Sequence, residues 1–287
     1  MYIILYNPLS KNKKAKRTTK RVVDYFKKHH MSFRLKSLLK IKDVEAYYKN
    51  TPKDVKILLL GGDGTINTFV NQTIDLAMEN EIYLKGNGSG NDFLRSLKAQ
   101  RPLTQPVMMM KYNDKQRYFM NGSGMGMDGK IAHLVNQATR KNRFNYIINT
   151  LRTFFTYKPR YTEVDVDGTL HSFKKAYLVN INSGQFIGGG MRVTPDAELS
   201  KDELDILVVH KIPKPLLFLI FASVYLGMHK KLKRYVFHKK GQHVKVTMFS
   251  KQIVQCDGET FENVDELEIT TTGKRVNFKS YDLEKNT

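Results

Sequence analysis

The sequence predicts an α/β N-terminal domain followed by a second, largely antiparallel β domain, and three observations carry that division. Up to about Met120, short apolar runs alternate with segments of helical spacing, the βαβ pattern of a parallel sheet flanked by helices. Beyond it, short β runs follow one another, with a tight-turn signal between two of them. The length of 287 residues is about twice the usual domain size. Two units are therefore expected, residues 1–120 and 121–287, with the last residues free to return to the first.

In the first unit YIILY (2–6) reads as a strand and the segment carrying Val22, Val23, Tyr25 and Phe26 as a helix. MSFRL (31–35) is strand-like and VEAYYK (44–49) helical. VKILLL (55–60) is a continuous apolar run, consistent with a buried strand, and the segment after Gly64 has apolar Ile66, Phe69, Val70 and Ile74 at helical spacing. EIYL (81–84) continues the alternation. In the second unit YTEVDVDGTLHSF alternates around Asp167-Gly168, a two-residue hairpin signal. KAYLVNIN, ELDILVVH, HVKVTMF and QIVQC are further β runs. They are interrupted by PLLFLIFASVYLGM (215–228), read as a buried or half-buried helix with an interfacial helix as the alternative; it is shorter than the roughly 20 residues that span a bilayer.

Apolar residues at 41% with 26% charged describe a globular chain and exclude a disordered one. Cys256 is the only cysteine, which excludes an internal disulfide and points to a reducing compartment. The N-terminus is apolar and then basic, the reverse of a secretory signal, so a cytoplasmic location is expected. Net charge is the outlier: 48 Lys and Arg against 27 Asp and Glu give +21, with the excess concentrated at 11–40, 129–161 and 226–251. Such basic faces attract nucleic acid, anionic lipid or phosphorylated substrates, and charge alone does not choose among them.

Ligand sites in open parallel sheets lie beyond the carboxyl ends of the strands. NPLSK (7–11), GGDG (61–64) and GNGSGND (86–92) all fall there, so three polar loops are expected to converge on one crevice. The middle loop poses an electrostatic problem. A glycine turn opening a helix invites phosphate, yet Asp63 places a carboxylate in that turn; two anions at short range need a cation between them. GMGMDG (124–129) satisfies G-x-G-x-x-G but lacks the acidic residue about 20 positions on that a dinucleotide site requires. No P-loop, zinc-spaced Cys/His cluster or G-x-S-x-G elbow is present.

GGDGTINTFVN, GNGSGNDFLRSL, NGSGMGMDGKIA, GQFIGGGMRVTPDAEL and QCDGE, in that order, closely resemble the bacterial diacylglycerol-kinase-like lipid kinases, which share their catalytic domain with ceramide and sphingosine kinases. The resemblance covers nearly the whole chain. It implies an α/β nucleotide-binding domain, a C-terminal β-sandwich, an active site in the cleft between them, ATP as co-substrate and Mg²⁺ as cofactor. It resolves the problem at Asp63, because a magnesium ion bridging phosphate oxygens turns a repulsive carboxylate into a metal anchor. Carried over by position, Asn7, Ser10, Gly62, Asp63, Gly64, Thr65, Asn67 and Ser89 fall on nucleotide contacts and Asp92 on the metal and water network. Asp257 and Glu259 match the catalytic pair, with Glu259 at the general base; alone, Asp257-Gly258-Glu259 reads equally well as a surface turn.

The chain departs from the family at Thr68, where many members have glutamate, and at Lys11, where they have glycine. In PDAELSKDELDIL an ungapped match puts Lys201 on the aspartate of a structural Mg²⁺ site, whereas a one-residue shift restores Asp202, with Leu199 and Leu204 offering carbonyls. The shifted ligand set Leu199, Asp202 and Leu204 is preferred. The acceptor is expected to be a hydroxyl on diacylglycerol or a related lipid. An NAD-kinase-like soluble-substrate enzyme and a non-catalytic basic adaptor are the alternatives, the latter disfavoured by four acids in a positive cleft. Expected partners are ATP, lipid substrate and an anionic membrane surface, with no nucleic acid; self-association into a homodimer stays open. Phe154, Phe155 and Tyr157, between Arg152 and Lys158, are read as able to enter the membrane interface, with core packing of these aromatics as the alternative.

Overall fold

The computed structural model describes residues 1–8, 13–76, 78–87, 90–137 and 143–283, with the side chains of 13, 14, 143–147 and 149 left aside. Ser10, Lys11 and Ser89 lie outside the described residues.

The first sheet is built by β1 (Tyr2–Tyr6), α1 (Lys13–Lys28), β2 (Phe33–Ser37), α2 (Val44–Lys49), β3 (Lys56–Gly61), α3 (Asp63–Thr73), β4 (Ile82–Gly86) and α4 (Asp92–Gln100). Strand order is β14-β4-β3-β1-β2, with β14 (Phe278–Ser280) joining from the far end of the chain, and every pairing is parallel. The apolar run in β3 has a simple cause. Ile57 and Leu59 point into one core with Ile66, Phe69 and Phe93, while Leu58 and Leu60 point into another with Val22, Phe26 and Tyr281. Period-two alternation between two covered faces leaves no solvent face to be polar. From β1 the chain runs to β2 on one side and then to β3 on the other, so the strand order reverses between β1 and β3, and their carboxyl ends open a crevice there.

The second sheet is assembled from β5 (Gln105–Tyr112), β6 (Lys115–Phe119), β7 (Gly122–Gly126), β8 (Arg160–Val166), β9 (Thr169–Asn182), β10 (Leu204–His210), β11 (Val236–Gly241), β12 (His243–Cys256) and β13 (Glu259–Val276). Its order is β11-β10-β9-β7-β12-β13-β5-β6, and β8 pairs with both β9 and β12. The long strands β9 and β12 are thus bridged twice, by β8 along one half and by β7 along the other. The sheet folds over a core of Val164, Val179, Ile206, Val246, Val254 and their neighbours, giving the second, antiparallel layer. Asp167 and Gly168 have φ of 52° and 81°, the left-handed pair of a two-residue hairpin. HVKVTMF and QIVQC are one strand, not two, because bulges near Gln252 let the chain bend without leaving the sheet. Sheet membership changes between β4 and β5, ahead of the change in sequence character at Met120, since the β5–β6 hairpin pairs with β13.

Helices α5 (Met127–Gln137), α6 (Arg143–Thr156) and α7 (Lys214–Tyr225) pack on the second sheet around Met127, Phe154, Leu217 and Ile220. The glycines of GMGMDG serve packing: a Cβ on Gly129 would lie 2.0 Å from the Ile253 carbonyl oxygen. The expected aromatic insertion is corrected at two residues. Phe154 and Tyr157 are buried, Tyr157 donating to Gln252 Oε1 at 2.8 Å, and Phe155 alone of the three is exposed. Helix α7 is neither wholly buried nor edge-on: Leu217, Ile220 and Val224 are buried while Phe218, Leu219 and Leu226 face outward. Among the described residues no helix is long and apolar enough to cross a membrane. Cys256 is buried, and burial pushes its thiol well above the usual range, so it is not a reactive nucleophile.

Phe278 is 1% exposed and packs against Phe69 and Phe93 of the first unit. Phe278→Ala is expected to cost about 3–5 kcal/mol, against at most about 0.5 kcal/mol for Phe249→Ala at an exposed position, measured by urea denaturation. Equal effects would mean that the C-terminal strand does not complete the first sheet.

Candidate active site

The described ends of the three expected loops lie at adjacent strand ends: Asn7 follows β1, Gly62 follows β3 and Asn87 follows β4, and the Asn87 amide donates to the Gly61 carbonyl at 3.1 Å. Gly62 caps α3, placing Asp63, Gly64 and Thr65 in its first turn, where the Thr65 N–H already donates to the Gly62 carbonyl at 2.9 Å and the helix dipole and the N–H groups before it face the crevice. Gly64 is exposed and a Cβ there would meet nothing within 4 Å, so the helix end is open to a ligand. Thr68 turns its hydroxyl back to the Gly64 carbonyl, 2.9 Å away.

Asp63 joins the first two helix ends. Its carboxylate accepts the backbone N–H groups of Asp92 (3.0 Å) and Phe93 (3.2 Å) at the start of α4. A Cβ on Gly90 would stand 3.0 Å from Asp63 Oδ2 and 3.6 Å from Asp92 Oδ2, so both carboxylates approach one point that only a glycine leaves open. Burial, and then the nearby Asp92 charge, push the Asp63 carboxyl up to about 7. Asp92 is also raised by burial, against the opposing pull of the Gly189 N–H (2.7 Å) and the Arg95 guanidinium (2.9 Å). Two neighbouring carboxylates, both raised by burial, are an oxygen donor set suited to a hard divalent cation. Among the described residues no group of three His, Cys, Asp or Glu side chains forms a ready-made cage, so such a cation would complete its shell with ligand oxygens and water.

Helix α3 carries the site across to the second sheet. Asn67 lies one turn beyond Asp63, about 6 Å along the axis, and is fully buried. Its amide donates to the Tyr118 carbonyl (3.0 Å) and to Asp257 Oδ2 (3.1 Å), while its oxygen accepts from Arg117 (2.9 Å). Asn71, the next turn, exchanges hydrogen bonds with the Tyr118 backbone at 2.8 and 2.9 Å. Asn67 is therefore a tie between sheets in this structure, with its polar atoms committed to protein.

Asp257 and Glu259 divide their roles. Asp257 and Gly258 form a left-handed two-residue turn between β12 and β13, with φ of 47° and 88°. Asp257 points inward, accepting from the backbone N–H groups of Met120, Asn121 and Gly122 at 2.9–3.0 Å as well as from Asn67. Burial raises its carboxyl despite these donors. With its oxygens so occupied it positions the 120–122 backbone. Glu259 is half exposed and ion-paired to Arg117 at 2.5 Å. Arg117 was not singled out by the sequence, because nothing in KQRYF marks one arginine among 48 basic residues; only the fold brings β6 beside the β12–β13 turn.

The loop at 199–204 differs from its expectation. Arg275 of β13 donates to Asp202 Oδ2 and to the Ser200 carbonyl, both at 2.6 Å, and Lys201 pairs with the exposed Glu198. Leu199 is buried and its N–H donates to Gln100 Oε1 at 2.7 Å, and Leu204 begins β10 opposite Gly241. The positive charge beside Asp202 is a guanidinium 73 residues downstream, beyond the reach of a local motif, and it takes only Oδ2, leaving Asp202 Oδ1 buried with no hydrogen-bond partner among the described residues. A buried acid that the sequence did not mark, Asp128, accepts from Asn180 (2.9 Å) and Gln255 (3.0 Å) at the start of α5, and burial raises its carboxyl.

Comparison with known proteins agrees with the fold. Residues 1–120 match the model described as "Diacylglycerol kinase catalytic domain", and residues 123–270 match "YegS C-terminal NAD kinase beta sandwich-like domain". The chain is 24% identical over 231 residues to YtlR of Bacillus subtilis (strain 168), covering 71% of this chain and 74% of that protein. It is 24% identical over 218 residues to the "Diacylglycerol kinase" of the same strain, covering 71% and 70%. A crystal structure of a diacylglycerol kinase from Bacillus anthracis str. Sterne superposes with a TM-score of 0.62 at 18% identity, over 97% of this chain and 96% of that one; this last likeness is one of fold.

The raised Asp63 carboxyl has a stability consequence. The folded chain binds a proton there that an unfolded aspartate has lost by about pH 4, so stability falls as pH rises from about 4 through about 7, and the full cost is present above that. Asp63→Asn cannot ionise. In EDTA, its melting temperature relative to the wild-type chain is expected to be higher at pH 8 than at pH 4; a pH-independent difference would contradict the burial of a chargeable group at this point.

Proposed function

The chain belongs to the bacterial diacylglycerol-kinase-like lipid kinase family, and we propose on that premise that it transfers the γ-phosphoryl group of ATP to a hydroxyl of diacylglycerol or a related lipid. The observation that carries the reading is α3 itself: one helix presents an open N-terminus with Asp63 at one end of a turn and, through Asn67, holds Asp257, Arg117 and Glu259 at the other. A phosphate site and a proton acceptor are thereby fixed on one rigid element, which is the arrangement positional catalysis of phosphoryl transfer needs.

In this reading the N–H groups of the first turn of α3 bind the phosphates, with Gly62, Gly64 and Thr65 allowing close approach and Asn7 lining the same crevice. Asp63 and Asp92 would hold Mg²⁺, whose charge neutralises that on the phosphate oxygens. Glu259 Oε accepts the proton of the attacking lipid hydroxyl. Arg117 holds that carboxylate in orientation, and Asp257 fixes the backbone beneath it. The family relatives whose names include lipid or diacylglycerol kinase support a lipid acceptor, and the apolar second unit agrees with one.

The test is transfer of labelled phosphate from ATP to a panel of detergent-dispersed lipids and to NAD, with Mg²⁺ or with EDTA. Label is expected in diacylglycerol or a related lipid, only with Mg²⁺. Glu259→Gln is expected to lower kcat by about 10² to 10⁴ with KM for ATP unchanged, and Asp257→Asn to lower the melting temperature as well as activity. Transfer to NAD and not to lipid would overturn the reading. A mild Glu259→Gln beside a fully folded but inactive Asp257→Asn would reverse the two roles.

A further inference from the structure

Helix α7 is apolar on both sides. Its inner face, Leu217, Ile220 and Val224, is buried against α5, α6 and the second sheet. Its outer face continues as Pro215, Phe218, Leu219, Ala222, Tyr225 and Leu226, a stripe at helical spacing with no polar residue in it. Phe218 is 53% exposed, Leu219 57% and Leu226 71%, and Phe155 of the neighbouring α6 adds a ring that is 70% exposed. The two helices are joined by the Phe154–Phe221 ring contact and by Lys214 Nζ on the Phe155 carbonyl. A contiguous exposed apolar surface of this kind marks an interaction site.

Charge identifies the partner. Lys211 and Lys214 stand at the start of α7 and Lys231, Lys233 and Arg234 beyond its end, all exposed, and no Asp or Glu occurs between Asp205 and Asp257. On the α6 side Arg152 and Lys158 are exposed in a segment, 129–161, that also contains no acid. An apolar stripe with basic residues at both ends and no acid in its own segment, the exposed Asp196 near its far end being already paired to Lys230, matches an anionic bilayer, whose headgroups meet the cations while its acyl region takes the rings. A second copy of this chain fits less well, because a two-fold contact through α7 sets the same cations against each other. Nucleic acid would leave the apolar stripe uncovered.

We propose that the outward face of α7, with Phe155, is a docking surface for anionic lipid bilayers, lying in the interface plane and not crossing it. The inference rests on the lipid kinase reading for its purpose but not for its evidence. It also has a route to the candidate active site. The inner face of α7 packs on Met191 and Val193, and the buried His229 just after the helix holds the Val193 carbonyl at 2.7 Å. The same loop bears Gly189, whose N–H binds Asp92 at 2.7 Å. Gly190 there has φ of 116°, and a Cβ on it would fall 2.5 Å from the Arg95 guanidinium. The helix on the bilayer and the acid in the crevice thus grip one short loop, so docking would bring the crevice to where a lipid hydroxyl is found.

The test is sedimentation of the full chain with vesicles, without ATP. Wild-type protein is expected to pellet with phosphatidylglycerol-containing vesicles at about 0.05 M salt, to pellet poorly with pure phosphatidylcholine, and to be released towards about 0.5 M as screening shortens the field. Leu219→Glu with Leu226→Glu should lower the partition coefficient by roughly tenfold or more, as should Lys231→Glu, Lys233→Glu and Arg234→Glu together. Circular dichroism melting checks that both variants stay folded, and phosphorylation of detergent-dispersed diacylglycerol should be retained by both. Unchanged vesicle binding in both folded variants overturns the proposal. So does a wild-type dimer, seen by sedimentation velocity, that the α7 variant converts to monomer while vesicle binding persists. Vesicle binding that follows these rules in a protein that phosphorylates no lipid would leave the docking surface standing and sink the kinase reading alone.

Discussion

The side chain of Asn67 is the joint on which the candidate site depends. A buried amide has two donors and an oxygen to satisfy, and leaving any of them unpaired costs on the order of 1–3 kcal/mol. Here the donors go to the Tyr118 carbonyl and Asp257, and the oxygen receives Arg117. Each partner belongs to the second sheet or its turns, whereas Asn67 belongs to a helix of the first. The relative placement of the two units at this point is therefore set by one saturated hydrogen-bonding group. Asn71 repeats the grip one turn on, so the axis of α3 is held at two points and Asp63 at its start is held with it.

Around that joint the chain solves a charge problem in two ways. Asp257 is part-buried and surrounded by four N–H donors, which offset the cost of taking a carboxylate out of water. Asp63 and Asp92 have fewer donors against the same burial, which raises both carboxyls, and the Asp92 charge raises Asp63 further. The first arrangement is a finished structural node; the second is an incomplete one that a cation would finish. Glu259 differs from all three in being half exposed and paired to a single arginine, which leaves it open to a ligand arriving from solvent.

Surface charge is organised on a larger scale. The +21 balance is not a uniform coat: the acids of the second unit lie mostly in ion pairs along its strands, such as Lys245–Glu266 and Lys251–Asp265, while α6, α7 and the segment after α7 carry cations without acids. The exposed apolar stripe falls in those same acid-free segments, so the two features reinforce one another.

Much of the fold was legible because its signals are local. The alternation of strand and helix, the Asp167-Gly168 hairpin and the three polar loops at strand ends follow from side-chain period and turn chemistry within a few residues, and the strands from YIILY to EIYL appear nearly where those periods put them. The positions of Asp63, Asp92, Asp257 and Glu259 could be marked by motif. What each does with its oxygens could not, because Asp257 and Glu259 are two residues apart and point into opposite environments. Period tells which side of a strand or helix is apolar, not which distant segment covers it. Hence Phe154 and Tyr157 went inward while Phe218 and Leu226 stayed out, and Arg275 met Asp202 from 73 positions away. Arg117 took Glu259 from 142 positions away. The sequence by itself determined the elements and the reactive groups; only tertiary pairing, which brings together residues with no local relation, decided which carboxylates are saturated, which are open and which apolar face is left for a partner.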